Sequence, residues 1–458
     1  MTSAHTILSA HALSSSPLSP EAKKAAAQLC RDAHQALDRV DVPTHGRRAW
    51  IVPGRIEVLG KHVDYAGGRS LLCAVERALV VVARPRTDAM VVVRDARRRE
   101  TVSMSLEHPQ RGSIPWSVYP RTVISRLMRN FGGAMRGADI GLASNLPPAA
   151  GVSSSSAFTV GLSAAMASLA ALEQDPLWTK SITDPLTLAG YVGALENGGD
   201  FAGLGGERGV GTMGGAQDQT AILCCAPEQL DVFRWMPSAH ERSVAWPDTH
   251  RFVVAVSGVV AAKTGAAKER YNRAARTAHR LVQAWNRHAG DEVRTLHDAF
   301  LAASGGTVPL AVPDALLAAA DTAAVPDFSG RHLRARLEQF FEETFVLVPK
   351  AADALARGDL PTFGSLVDAS QFGAERALEN QIAETVHLHR YARDLGADAA
   401  SAFGAGFGGS VWAMIPAAQA DPFMARWRER YVRAHPVAAQ RAQFFITMPS
   451  ASAFEIVD

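Results

Sequence analysis

Pro147 to Ala157 reads PPAAGVSSSSA and leads into FTVGLSAAMASLAAL, which ends at Leu172. Small residues in such a loop let backbone amides approach an anion, and a helix starting there offers a positive N-terminal dipole with unpaired N–H groups. The hydroxyls of Ser153, Ser154, Ser155 and Ser156 add candidate phosphate contacts or a magnesium ligand. An ordinary serine N-cap explains the same letters. The stretch is not a Walker A loop, because G-x-x-x-x-G-K-[ST] does not occur in the chain.

Two further glycine-rich segments lie far from it on either side. GAGFGG at 404–409 satisfies G-x-G-x-x-G, but SVWAMIP follows and reads as a strand. A dinucleotide site needs a helix there, so a tight turn against another backbone is the better expectation. PGRIEVLGKHVDYAGG at 53–68 groups Arg55, Lys61, His62 and Asp64 in a strand and turn bounded by glycines. Charged groups so placed suit hydroxyl or phosphate recognition, and a solvated turn remains the plain alternative.

The rest of the chain sets bounds on what these segments serve. Its 458 residues allow two or three domains, and 47% apolar with 20% charged residues indicates a folded protein. With 47 Lys+Arg against 45 Asp+Glu there is no basic excess, so no nucleic-acid partner is expected. Only seven of the basic residues are Lys, which singles out Lys61. Cys30, Cys73, Cys224 and Cys225 show no CxxC spacing and read as free thiols in a reducing compartment. With no signal-peptide pattern and no long apolar run, the expectation is a cytoplasmic protein without a membrane partner.

The coarse pattern is mixed. A loose Ser/Pro start precedes a helix from Pro20; strand-like runs fill 48–104 (AWIV, RIEVLG, ALVVVARP, AMVVVRD, ETVSMSL); 290–400 is helix-dominated; SVWAMIP and FFITMPS return to strands. The expectation is an α+β protein of two lobes with a cleft between them.

The three glycine-rich segments, in this order, resemble the motifs of the GHMP small-molecule kinases, and most closely those of the galactokinase family. GTMGGAQDQT at 211–220 resembles the family's segment with the catalytic Asp, and PWSVYPRTV at 115–123 its Trp-x-x-Tyr helix. AKERYNRAAR at 267–276 is similar to its Tyr-bearing helix, and FFITMPSASAFEI at 444–456 to its last strand. The resemblance covers about residues 48–458, leaving 1–47 without a clear match. It implies a domain at 48–245 with the phosphate loop, catalytic Asp and a left-handed βαβ unit, a second domain at 246–458, and ATP and sugar meeting in the cleft.

By position, the resemblance assigns Asp218 and Arg55 to catalysis and Lys61, His62, Asp64, Gly215 and Tyr271 to the sugar. It places Gly151, Ser153, Ser154 and Ser155 on the triphosphate, Trp116 and Tyr119 near the adenine, and Ser154 with Glu196 on Mg2+. For Trp116 and Tyr119, an i, i+3 aromatic pair packed in the core is the plain alternative. The implied reaction is transfer of the γ-phosphoryl group of ATP to the anomeric hydroxyl of galactose or a similar sugar. A monomer or weak homodimer is expected.

Departures from the family are specific. Lys61 stands where galactokinases carry a Glu that accepts a hydrogen bond from a sugar hydroxyl. A lysine only donates, so a uronic acid such as galacturonate becomes a candidate substrate, unless Lys61 pairs with a protein carboxylate or turns away. Glu57 replaces the usual Asn without an evident role. GGAQDQ differs from the galactokinase Gly-x-Met-Asp-Gln, and GGDFAGLGGERGVG at 198–211 reads as an insertion before it. A catalytically idle sugar sensor and mevalonate-type phosphorylation are the competing readings. Retention of Arg55 and Asp218 argues against the first, and His62, Asp64 and Tyr271 against the second.

Overall fold

Val80, Val81 and Val82 are all fully buried, yet they face two different layers. In the computed structural model, which describes residues 7–38, 46–97, 100–107, 115–260 and 265–457, they lie in the middle of a ten-stranded sheet. Its strands are β1 (Ala10–His11), β2 (Arg48–Leu59), β3 (Arg69–Pro85), β4 (Met90–Asp95), β5 (Thr101–Ser105), β6 (Ala138–Ser144), β7 (Gln229–Arg234), β8 (Ala239–Ala245), and, from the far end of the chain, β13 (Pro449–Ser450) and β14 (Phe454–Ile456). A second sheet holds β9 (His250–Val256), β10 (Ala399–Phe403), β11 (Ser410–Pro416) and β12 (Gln443–Thr447) in the order β10-β11-β9-β12.

Helix α1 (Pro20–Asp38) covers one face of the first sheet, where Val80 and Val82 pack with Ala33 and Leu37. Val81 and Leu79 point the other way, into a core shared with α2 (Val118–Phe131) and α3 (Ser154–Leu169). Burial on both faces explains the unbroken apolar run, because alternation shows only where one face meets water. Each such valine stabilises the fold by about 1.5–3 kcal/mol. Gly141 on β6 lets α1 dock, since a Cβ there would stand 2.2 Å from the Ala33 carbonyl oxygen. The sheet is mixed, with β4 parallel to β6 across the crossover that contains α2 and the rest of its central strands antiparallel.

The chain continues through α4 (Pro176–Ser181), α5 (Pro185–Asn197) and α6 (Gln217–Cys224) before β7. After β9 comes a helical layer of α7 (Gly265–Ala289), α8 (Leu296–Ala303), α9 (Asp314–Thr322), α10 (Gly330–Phe341), α11 (Val348–Ala356), α12 (Leu360–Gly373) and α13 (Ala383–Asp394). Strand β9 also uses both faces: Val253 and Ala255 pack with Leu388 of α13, while Phe252 and Val254 join the main core. The main core therefore runs from the first sheet into the second.

The structure extends several expected elements. Strand β3 starts at Arg69, nine residues before the apolar run, because Arg69–Leu72 pair with β7. The expected helix from Pro20 is present to Asp38; the first six residues of the loose start, and Arg39 and Val40, lie outside the described residues. The closing strands β13 and β14 pair with β3 and β2, so residues 449–456 belong to the first sheet although they follow the second. Among the described residues, no helix is long and apolar enough to cross a membrane. None of the four cysteines is in a disulfide.

Candidate active site

Strand β2 sends Ile56 and Val58 into the core and turns Arg55 and Glu57 to the opposite side. Arg55 is 3% exposed and meets Asp218 from the first turn of α6, with Nε at 2.8 Å and Nη2 at 2.6 Å from Asp218 Oδ1. Arg55 Nη1 also donates to the Gly151 carbonyl, which ties the strand to the serine loop. Ser156 Oγ lies 3.4 Å from Asp218 Oδ2.

Two cavities open on either side of this ion pair, and Arg55, Asp218 and Ala405 line both. The larger, of about 540 Å³, is walled by Trp116, Tyr119, Phe158 and the loop from Pro148 through Ser155. Trp116 and Tyr119 approach Phe158 with ring centroids at 6.0 and 6.4 Å, and Trp116 Nε1 donates to Glu100. The expected aromatic pair thus borders the cavity, on the apolar wall a flat heterocycle would need.

The serine loop does not work as an ordinary N-cap. Ser153, at the N-cap of α3, has φ 59° and makes no capping hydrogen bond from its side chain. Its Oγ is buried without a partner, which leaves the first amides of a 16-residue helix and an orphan hydroxyl beside the cavity. That is the pattern of an anion cradle. The GAGFGG turn packs on the same loop: a Cβ on Gly404 would stand 2.9 Å from the Gly151 oxygen, and one on Gly151 would stand 2.9 Å from the Phe403 oxygen. Both have positive φ, 82° and 77°, so glycine is required on both counts.

The smaller cavity is polar and is lined by Arg55, Glu57, His62, Asp64, Ser156, Glu196, Thr212, Gly215, Asp218 and Tyr271, among others. Asp64 Oδ2 accepts from the Gly215 amide at 2.9 Å, and burial holds its carboxyl above the usual range with the Asp218 charge adding to the effect. His62 takes φ 58° and pairs through Nδ1 with the Tyr65 hydroxyl at 3.0 Å. Its ring sits 5.4 Å from that of Tyr271, whose phenol burial pushes well up. Asn272, next in sequence to Tyr271, bonds the Met213 amide and the Gly211 carbonyl, and so fixes the end of the glycine-rich 198–211 segment beside Thr212.

Residues 41–85 match the galactokinase galactose-binding signature, 118–225 the GHMP kinase N-terminal domain, and 351–433 the GHMP kinase C-terminal domain. The chain belongs to the GHMP kinases. A galactokinase of Roseiflexus sp. (strain RS-1) is 26% identical over 89% of this chain and 92% of its own length. Another, from Chloroflexus aurantiacus, is 29% identical over 85% and 88%. The fold of this GHMP kinase is that of Lactococcus lactis galactokinase, solved with galactose, at a TM-score of 0.71, 20% identity, and coverage of 94% of this chain and 99% of the other.

One expected site residue, Lys61, is not among the residues that line either cavity. Lys61 is 2% exposed, and its Nζ donates to Ser370 of α12 at 2.7 Å and Ser401 of β10 at 2.8 Å. Glu343 accepts from Ser370 and from the Gly60 amide, and its charge opposes the burial that lowers the Lys61 pKa. The ammonium is therefore engaged by protein groups, and nothing here favours a carboxylate on the sugar.

Sequence reasoning passed over Gln217, whose carbonyl oxygen accepts from Ser70 at 2.6 Å and whose amide nitrogen donates to Glu57. Its place beside Asp218 was the available signal. For Mg2+, the described residues contain no group of three His, Cys, Asp or Glu side chains placed to hold a metal ion together. Glu196 and Ser154 nonetheless suit an ion held mainly by phosphate oxygens and water, because both offer hard oxygen donors. Glu196 lies in the smaller cavity with Oε1 held by Thr159 at 2.5 Å, while Ser154 lies in the larger one.

Proposed function

We propose that this GHMP kinase transfers the γ-phosphoryl group of ATP to the anomeric hydroxyl of galactose or a closely similar sugar. The observation that carries this reading is the Arg55–Asp218 pair, set where the apolar and the polar cavity meet. The serine loop, Trp116 and Tyr119 give the larger cavity the chemistry of a nucleotide site, with Gly151, Ser153, Ser154 and Ser155 toward its phosphates. His62, Asp64, Gly215 and Tyr271 give the smaller cavity the donors and acceptors of a sugar site. The similarity to galactokinases over most of the chain supports galactose as the acceptor.

Phosphoryl transfer has a loose transition state, so the chain acts by positioning groups and balancing charge. Asp218 takes or orients the proton of the attacking hydroxyl, and Arg55 keeps its carboxylate aimed while offsetting negative charge on the moving group. Glu196 and Ser154 would hold magnesium, which would supply positive charge to offset that of the phosphates. The cytoplasm, where ATP and reduced thiols occur together, is the fitting compartment. The test is ATP consumption with magnesium over galactose, galacturonate, glucuronate, arabinose, fucose and N-acetylgalactosamine. Galactose should give the highest kcat/KM; no turnover with any of them would sink the reading.

A further inference from the structure

Glu57 is 3% exposed, and its Oε1 is buried without a hydrogen-bond partner. Its other oxygen accepts from Gln217. The neighbouring cations do not satisfy Oε1: Arg55 is spent on Asp218 and Gly151, and Lys61 on Ser370 and Ser401. A buried acceptor left open costs about 1–3 kcal/mol, so such groups in native folds usually await a partner. Glu57 lines the polar cavity two positions along β2 from Arg55, on the same side of the strand.

We infer that Glu57 is a sugar-contacting, specificity-determining residue whose Oε1 accepts a hydrogen bond from a hydroxyl other than the one phosphorylated. The inference rests on the sugar-kinase reading above. It gives the cavity a second carboxyl besides Asp64 that recognises the hydroxyl pattern, in a chain whose Lys61 is turned to the C-terminal elements. Burial pushes the Glu57 carboxyl up to about 7, against the pull of Arg55 and Lys61 and with the push of Asp218. His62, Asp64, Tyr65, Glu196 and Tyr271 are the other titratable groups lining the cavity. The hydroxyl contact therefore strengthens as Glu57 ionises around neutral pH.

The experiment compares the wild type with Glu57→Gln on galactose and on its 2-, 3-, 4- and 6-deoxy analogues. A hydrogen bond to a charged acceptor predicts roughly a tenfold or greater fall in kcat/KM for every sugar that keeps the contacted hydroxyl, and less than about threefold for the one that lacks it. Equal losses on all five sugars, as a purely structural role through Gln217 would give, overturn the inference, as does no loss on any. A fluorescent ATP analogue reports whether the variant is folded. Should it not fold, the wild type alone decides: from about pH 6 to about pH 8, the KM of galactose should fall relative to that of one deoxy analogue. The same pH dependence for all five sugars overturns the inference. A wild type that phosphorylates none of them removes the sugar reading and this inference together, whereas an active wild type with uniform losses removes the inference alone.

Discussion

Arg55 reaches Asp218 with two nitrogens, and both go to Oδ1, which leaves Oδ2 on the side of Ser156. Arg55 thus holds one oxygen of the carboxylate and Ser156 donates to the other, on a residue that lines both cavities. Asp218→Asn keeps the shape and removes the proton acceptor, so kcat should drop by roughly 10³-fold while ATP affinity changes by less than about threefold. Steady-state kinetics and nucleotide titration check this; substantial remaining turnover would remove Asp218 from catalysis.

Gly151→Ala tests the contact between the serine loop and the GAGFGG turn. The new Cβ meets the Phe403 oxygen at 2.9 Å in a backbone with φ 77°. The expected cost is about 1–3 kcal/mol, read as a lower melting temperature, with a raised KM for ATP.

Lys61→Met removes the cation that faces Glu343 in a buried setting. A carboxylate left there should destabilise the protein by about 3–5 kcal/mol in denaturant titrations. The preference between galactose and galacturonate should stay as it is. A shift toward the neutral sugar would return Lys61 to the substrate site.

Glu196→Gln should raise the magnesium concentration for half-maximal rate roughly tenfold or more, with the sugar KM little changed. An unaltered magnesium requirement would leave Glu196 a structural partner of Thr159.

Glu57 also predicts how stability follows pH without ligands. Its folded pKa of about 7 lies above the ordinary 4.5, so the native state keeps a proton that the unfolded chain releases between them. The stability from this group is fully present below about pH 4.5 and is lost as pH rises through about 7. Glu57→Gln cannot titrate, so its melting temperature relative to the wild type should rise from about pH 5 to about pH 8. A constant difference would contradict burial as the cause of the raised Glu57 pKa.

Much of this was legible in the sequence because loops and strands bearing Arg55, His62, Asp64, Gly151 and Asp218 carry local patterns of glycine, charge and small residues. Lys61 was not, because its direction depends on Ser370 and Ser401, 309 and 340 positions away. Glu57 was visible as an odd residue, but its meaning needs Gln217, 160 positions on, and the cavity around both. The helix from Pro20 showed an apolar stripe without showing what it covers, since Gly141 alone gives no sign of the Ala33 backbone that rests on it.

Strands β13 and β14 close against β3 and β2 only after the whole second sheet has been threaded. During synthesis the first sheet must wait, with part of β2 and β3 unpaired, until the ribosome has passed Ile456. Contacts of such long sequence separation slow folding. A nascent chain stalled at about residue 440 should accordingly remain protease-sensitive around β2, although the Pro148–Ser155 loop and the turn bearing His62 and Asp64 have long since emerged.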